Sequence, residues 1–266
     1  MFAGFVLVDF LRPARAYPRV ALWRAKGALA ALAYFTVATF APLAWDAWLG
    51  EHGLYDATAL PLWAQALGGF VVLQLTVYAW HRTMHNVGPL WRWFHQMHHS
   101  AERVDVYGAF WFSPLDMAGW AFVGSFALVM VFGLSGEAAM IVGVAATFLA
   151  MFQHANIRTP RWIGYIVVRP ESHAAHHQRG VHAFNYCDLP AIDMLFGTFR
   201  NPPAFEGQAG FWDGASARLG AMLAGRDVSE PPSGDEAPRG LAPAAVVATL
   251  AVAAFLAAGY GTLPSA

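Results

Sequence analysis

The sequence predicts an all-α fold, a polytopic transmembrane helical bundle with a cytoplasmic helical cap that carries clusters of histidine. Three observations predict it. Of 266 residues, 57% are hydrophobic and 12% are charged, against about 25% charged in an ordinary soluble domain. The mean hydropathy is +0.41. Several apolar stretches approach the roughly 20 residues that a helix needs to cross a bilayer. The net charge of -1 excludes the basic surface of a nucleic-acid-binding protein. The one cysteine, Cys187, can build neither an internal disulfide nor a thiolate metal site.

The elements follow in order. The first residues, MFAGFVLVDFL, lack the basic start and the cleavage site of a secretory signal. They are too short to cross the membrane, so residues 1–27 are expected to form an interfacial or partial first span followed by a basic cytoplasmic segment. Residues 28–202 form the membrane-embedded domain, with spans expected at 28–45, 60–80, 115–134 and 137–152. The last two form a hairpin around the turn-rich Gly133-Leu134-Ser135-Gly136. Residues 203–240 have the Pro, Gly and acidic content of a polar flexible linker, above all from Arg226 onward. The Ala- and Val-rich residues 241–266 are expected to hold a C-terminal transmembrane helix.

Charge placement orients the bundle. All 16 basic residues fall within 12–26, 82–103 and 158–239, whereas the loop after the first full span carries Asp46, Glu51 and Asp56 and no Lys or Arg. Short cytoplasmic loops hold the excess of Lys and Arg, so the three basic segments are placed in the cytoplasm.

Histidine is the informative residue. There are 11, and most fall in the patterns His81-x-x-x-His85, His95-x-x-His98-His99 and His173-x-x-His176-His177, with His154 between the last two. Positions i, i+3 and i+4 share a helix face, so each cluster is expected to aim its imidazoles at one point. One such triple would arise by chance about 0.02 times in a chain of this composition. By the charge argument all nine sit at one membrane face. Imidazole without thiolate or carboxylate favours zinc, copper, iron or nickel. Nine ligands exceed what one ion holds, and two irons of higher coordination number suit them better than one closed zinc site. His182 is a weaker candidate that could lie beside the ligands, and His52, on the opposite side, is not expected to bind metal.

These motifs come in a familiar order: His81-Arg82-Thr83-Met84-His85, Leu90-Trp91-Arg92-Trp93-Phe94-His95-Gln96-Met97-His98-His99-Ser100, His154-Ala155-Asn156, His173-Ala174-Ala175-His176-His177, Asn185-Tyr186, and Asp193-Met194-Leu195-Phe196-Gly197-Thr198. Over residues 7–202 the chain resembles the fatty acid hydroxylase/sterol desaturase superfamily of integral-membrane diiron oxygenases. The resemblance implies a histidine-ligated pair of irons that uses dioxygen and electrons to oxidise an unactivated C–H bond of a lipid. His81, His85, His95, His98, His99, His154, His173, His176 and His177 are then the metal ligands. Asn156, Asn185 and Asp193 either orient ligand imidazoles or cap helices.

The chain departs from the family at one point. Where many relatives have His-Pro-Leu-Glu it has Ser113-Pro114-Leu115-Asp116, and Ser113 is expected beside the ligands rather than among them, since nine histidines already suffice for two irons. The aromatic run 107–112 reads as an interfacial belt more readily than as a substrate mouth. The expected partners are a lipid from the bilayer, dioxygen, and a separate electron-donor protein, because no flavin or cytochrome motif is recognisable. Desaturation is the alternative outcome within the family. A histidine-ligated membrane haem carrier or a metal transporter would place its ligands inside the spans rather than in close triplets at one interface.

Overall fold

The computed structural model describes residues 1–232. Within them every regular element is helical, and the β-type pairing is a single isolated bridge between Gln178 and Ala209. The order is α1 (Phe2–Leu11), α2 (Trp23–Phe40) continued by a 3-10 turn (Ala41–Ala44), α3 (Asp46–Glu51), α4 (Leu62–Asn86), α5 (Gly88–Leu90), a π-helical turn (Trp91–His95), α6 (Gln96–His99), α7 (Pro114–Ser125) continued by a π-helical segment (Phe126–Val131), α8 (Gly136–His154), α9 (Pro170–His176), α10 (Pro190–Leu195) and α11 (Leu219–Leu223).

Four of these elements, Trp23–Ala44, Leu62–Asn86, Pro114–Val131 and Gly136–His154, are long and apolar enough to cross a membrane. They turn large apolar side chains outward: Trp63 is 71% exposed, Leu67 62% and Met140 64%. Gln65, Gln74 and small residues are buried instead. A water-soluble helix would show the reverse pattern, and a lipid-facing one shows this. The chain is a multi-pass membrane protein. At 10 residues α1 is too short to span; Phe2, Phe5 and Val6 hold it against the aromatic 106–112 segment and α8.

The ends of the spans are set by local chemistry. Ser113 caps α7 by accepting from the Asp116 N–H at 3.1 Å, with Pro114 in the first turn. Ser135 caps α8 by accepting from the Ala138 N–H at 3.3 Å. Between them Gly133 has φ +60°, and any Cβ there would collide with the Tyr55 carbonyl. The loop bearing Asp46, Glu51 and Asp56 is stitched to this turn, since the Leu54 N–H donates to Met130 O at 2.7 Å and the Ala57 N–H to Gly133 O at 3.0 Å. The acidic loop and the hairpin turn therefore share one end of the bundle, and the described parts of the three basic segments share the other with the histidines.

The hairpin does not close along its length. α8 packs principally on α4, and α7 on α2, while Leu73, Ala127, Leu128 and Val142 join the elements near the turn. A cavity is left between the two pairs.

The expected flexible linker is corrected over its described part. Residues 203–232 bury Phe205, Phe211, Met222 and Val228. They are bound to the histidine-bearing segment through Glu102, which accepts from the Gly214 N–H and the Ser216 hydroxyl, and through Gln96, whose amide bonds Arg226 O and the Val228 N–H. Gly and Pro punctuate the segment, but the apolar residues spaced among them suffice to anchor it. The C-terminal helix expected at 241–266 lies outside the described residues.

Gly133→Ala is expected to destabilise the protein by about 1–3 kcal/mol, because it combines a positive φ with a backbone clash. Thermal unfolding in detergent, with Gly136→Ala as the unstrained control, checks it.

Candidate metal centre

The His81–His85 pair stays together in the structure, and each of the two triples is divided. One group comprises His81, His85, His95, His99 and His176; the other comprises His98, His154, His173 and His177; within each, one potential ligand atom per residue lies within 4.8 Å of all the others. All nine expected residues are present. The expectation that each triple aims at one point is corrected: each triple gives its i, i+4 pair to one group and its middle histidine to the other. His95 and His99 join the α4 pair while His98 faces away, and His173 and His177 join His154 while His176 faces the first group. The groups touch where His99 and His177 stack, with centroids 4.1 Å apart. The π-helical turn at Trp91–His95 widens the helix just before the triple, as such turns often do at functional sites.

The arrangement fits metal. The Nε2 atoms of His81 and His95 are 2.9 Å apart, those of His154 and His173 3.0 Å, those of His173 and His177 3.0 Å, and those of His98 and His154 3.3 Å. Nitrogens bound to one ion at roughly 2.1 Å stand about 3 Å apart. The Nε2 atoms of His85, His99 and His176 are buried without a hydrogen-bond partner. Unpaired buried nitrogens converging in this way are costly unless they share a cation.

Several of the rings are oriented by a bond at Nδ1. His81 Nδ1 donates to Tyr186 O at 2.9 Å, His154 to Ala150 O at 2.7 Å and His176 to Phe184 O at 2.7 Å. A carbonyl only accepts, so each of these Nδ1 atoms carries the proton and each Nε2 lone pair is free. His95 Nδ1 meets Asp116 Oδ2 at 2.8 Å, and both residues are buried. His99 Nδ1 lies 3.0 Å from His182 Nδ1.

The residues expected beside the ligands do varied work. His182 touches a cluster histidine directly. Ser113 does not: its hydroxyl caps α7 and donates to Trp93 O and Phe94 O. Asn156 clasps the N-terminal segment through the Arg15 N–H and carbonyl. Asn185 bonds Ser172 O, Arg200 O and the Arg200 N–H, and Asp193 accepts from the Tyr186 N–H and the Thr198 hydroxyl. None of these last three reaches an imidazole, because backbone groups take their capacity first. Their effect is indirect. His182, Phe184 and Asn185 have φ of 42°, 73° and 50°, a left-handed run costly for residues other than glycine. The Asn185 and Asp193 bonds hold that run so that the Phe184 and Tyr186 carbonyls face His176 and His81. Asp116 and these carbonyls were missed in the sequence, which marks no backbone acceptor; Asp116 stood within the departing Ser113-Pro114-Leu115-Asp116 motif.

A cavity of about 440 Å³ meets the histidines. It lies between the α2–α7 and α4–α8 pairs and is mainly apolar. His81, His95, His98, His154 and His173 line one end, and Asp46 and Val129 lie at the other. Phe110 and Phe112 line it and Tyr34 stacks on Phe110 at 4.9 Å, so part of the aromatic run faces the cavity rather than forming an interfacial belt. His52, as expected, is remote, packed on Trp48.

Burial, then neighbouring imidazoles, pushes the pKa of His98, His99, His173 and His177 well below the ordinary histidine value. Burial, then His95, lowers His176 to about 3 and His182 to about 4. These rings are neutral, the form that binds metal. An unfolded chain takes up protons below about pH 6.5 that these rings refuse until far lower pH. The metal-free protein is therefore expected to lose stability steadily from pH 6.5 toward pH 4, measured as the unfolding midpoint against pH. A flat profile would contradict buried neutral rings.

Residues 66–198, which contain all nine histidines, match the model of the fatty acid hydroxylase family. The chain is also similar to an ornithine lipid hydroxylase of Rhizobium tropici, 30% identical over 160 residues, or 58% of this chain and 47% of that protein. The match thus spans about half the length of that relative. No solved structure is significantly similar. With the ordered histidine motifs, the paired groups they build and the family match over half its length, the chain belongs to the fatty acid hydroxylase family.

Proposed function

We propose that this protein is a membrane-bound, dioxygen-dependent lipid hydroxylase that holds two irons, one in each histidine group. The observation that carries the reading is the juxtaposition of two converging imidazole groups, all but His85 buried, with the end of an apolar cavity running through the bundle. The substrate class we propose is an amino-acid-containing lipid, the kind of molecule named for the Rhizobium relative.

When bound, the iron pair supplies the activation of dioxygen and the removal of hydrogen from an unactivated C–H bond, with electrons from a separate donor protein. The chain supplies position and dryness. His81, His85, His95, His99 and His176 would hold one ion and His98, His154, His173 and His177 the other. The Nδ1 bonds to Tyr186, Phe184 and Ala150 keep three of these rings from turning. Phe112 and Trp120 cover the face toward the membrane; Phe112 packs on His98 at 4.8 Å and Trp120 on His81 at 5.6 Å, which excludes bulk water from the reacting carbon. The acyl chain lies along the apolar length between the helix pairs, which leaves the polar end of the lipid beside the histidines.

The purified protein is expected to retain close to two irons per chain, and cells making it are expected to accumulate lipids heavier by one oxygen. His85→Ala and His98→Ala, one from each group, are each expected to lower iron retention and abolish the mass shift. Full iron retention after replacing all nine histidines would sink the ligand assignment.

The sidedness belongs to the same reading: the basic end, with the histidines, faces the cytoplasm. Cysteines introduced as Asp56→Cys and Arg158→Cys are expected to label from opposite sides of sealed vesicles, with the buried Cys187 contributing little background. Labelling of both from one side would refute the orientation.

A further inference from the structure

One acid in the cavity wall has no part in holding the histidines. Asp188 lines the same cavity as His81, His154 and His173. Its Oδ2 accepts from Gln74 Nε2 at 2.8 Å and its Oδ1 from Gln153 Nε2 at 3.0 Å, while its own backbone N–H donates to Gln74 Oε1 at 2.7 Å. Two spans, α4 and α8, each commit a glutamine to it. Both oxygens are met by donors, so the group is presented as an acceptor. Among the described residues it forms no ion pair with Lys, Arg or His. Burial pushes its carboxyl up to about 6, against the two glutamine bonds that lower it.

A buried carboxylate without a counter-cation is expensive, and the cost is recovered when a cation arrives. A neutral hydroxyl would offer one hydrogen bond and leave the charge uncompensated, whereas an ammonium supplies both donors and charge. We propose that Asp188, steadied by Gln74 and Gln153, receives the ammonium of the lipid headgroup and thereby determines which lipids are accepted and which carbon reaches the histidines. This rests on the lipid-hydroxylase reading and names the group that would read an amino-acid headgroup. The apolar length of the cavity takes the acyl chain, and the charged contact at the histidine end fixes its register.

The test uses the full-length, iron-loaded protein in phosphatidylcholine nanodiscs. An ornithine lipid with brominated acyl chains and its N-acetylated counterpart, which lacks the ammonium charge, are titrated while quenching of tryptophan emission reports binding; Trp120 lies in the cavity wall. The wild type is expected to bind the amine form about tenfold more tightly, the scale of one charge-assisted hydrogen bond. Asp188→Asn is expected to bring that ratio close to one with iron content retained. Gln153→Lys, which sets an ammonium beside the carboxylate without removing it, is expected to do the same and decides the matter if Asp188→Asn does not fold. Equal binding of the two lipids by the wild type would overturn the role of Asp188 and leave the hydroxylase reading standing. A preference that survives both variants would assign the amine elsewhere, with Asp46 at the far end, whose Oδ1 is unpartnered, the next acid. Iron loss in Asp188→Asn would make the carboxylate a counter-charge to the metal, which also overturns the proposal. Binding of neither lipid to the wild type would count against the amino-acid lipid substrate itself.

Discussion

The rest of the structure depends on holding nine imidazole rings close together in two groups and away from water. Bringing the ligand nitrogens of each group within 4.8 Å of one another is unfavourable in the absence of a cation, so each ring must be fixed by something other than its neighbours in the cluster. Backbone carbonyls of Tyr186, Phe184 and Ala150 do this for three rings, and Asp116 for a fourth. The carbonyls in turn must be aimed, which explains the left-handed φ values at residues 182, 184 and 185. Each costs of order 1 kcal/mol or more, and the Asn185 and Asp193 networks offset that cost with bonds to backbone on both sides of the loop. Sequence, local strain and ring orientation are links in one chain of causes.

The membrane bundle serves the same constraint from the other side. Its helices face lipid with Leu, Val, Phe and Trp, so their stability does not require a tightly filled interior of large side chains. That permits α8 to follow α4, and α7 to follow α2, and to leave a channel between them that ends at the histidines. Closure comes from the turn, where Gly133 and the Ser135 cap fix the geometry, and from the cap, where residues 203–232 bind Glu102 and Gln96 and so brace the helix carrying His98 and His99. The Gly- and Pro-rich composition of that brace concealed its role, because anchoring needed only Phe205, Phe211, Met222 and Val228.

The helical bundle, its four spans and the nine histidines were legible because they rest on composition and spacing, which a sequence states directly. The division of the histidines into two groups was not. An i, i+3, i+4 triple on an ideal helix shares a broad face, but positions i+3 and i+4 stand about 100° apart around the axis, so His98 and His176 lean to the opposite group from their neighbours. Asn156, Asn185 and Asp193 were recognisable as special, yet their partners are backbone atoms of residues 15, 172, 186 and 200, and no residue letter marks a carbonyl that a fold will bring near. The cavity was invisible for the same reason: it is a consequence of which helices pair.

The departure Ser113-Pro114-Leu115-Asp116 replaces the histidine of the family-like pattern and keeps an acid at its fourth position. Read as a lost histidine, Ser113 suggests an incomplete ligand set. In the fold its hydroxyl accepts from the Asp116 N–H and donates to the Trp93 and Phe94 carbonyls, so it ties the start of α7 to the turn that delivers His95. That tie places Asp116, one turn along α7, with its Oδ2 at 2.8 Å from His95 Nδ1. A carboxylate at this position accepts a hydrogen bond from Nδ1–H and leaves Nε2 to face His81, and it contributes negative charge close to a centre that would carry several positive charges. A histidine at 113 would have to surrender the cap in order to reach the cluster. The serine keeps the cap, and the acid three residues later takes the contact with the ring, so the departure from the family pattern preserves the orientation of His95 without adding a tenth nitrogen to a site that nine already fill.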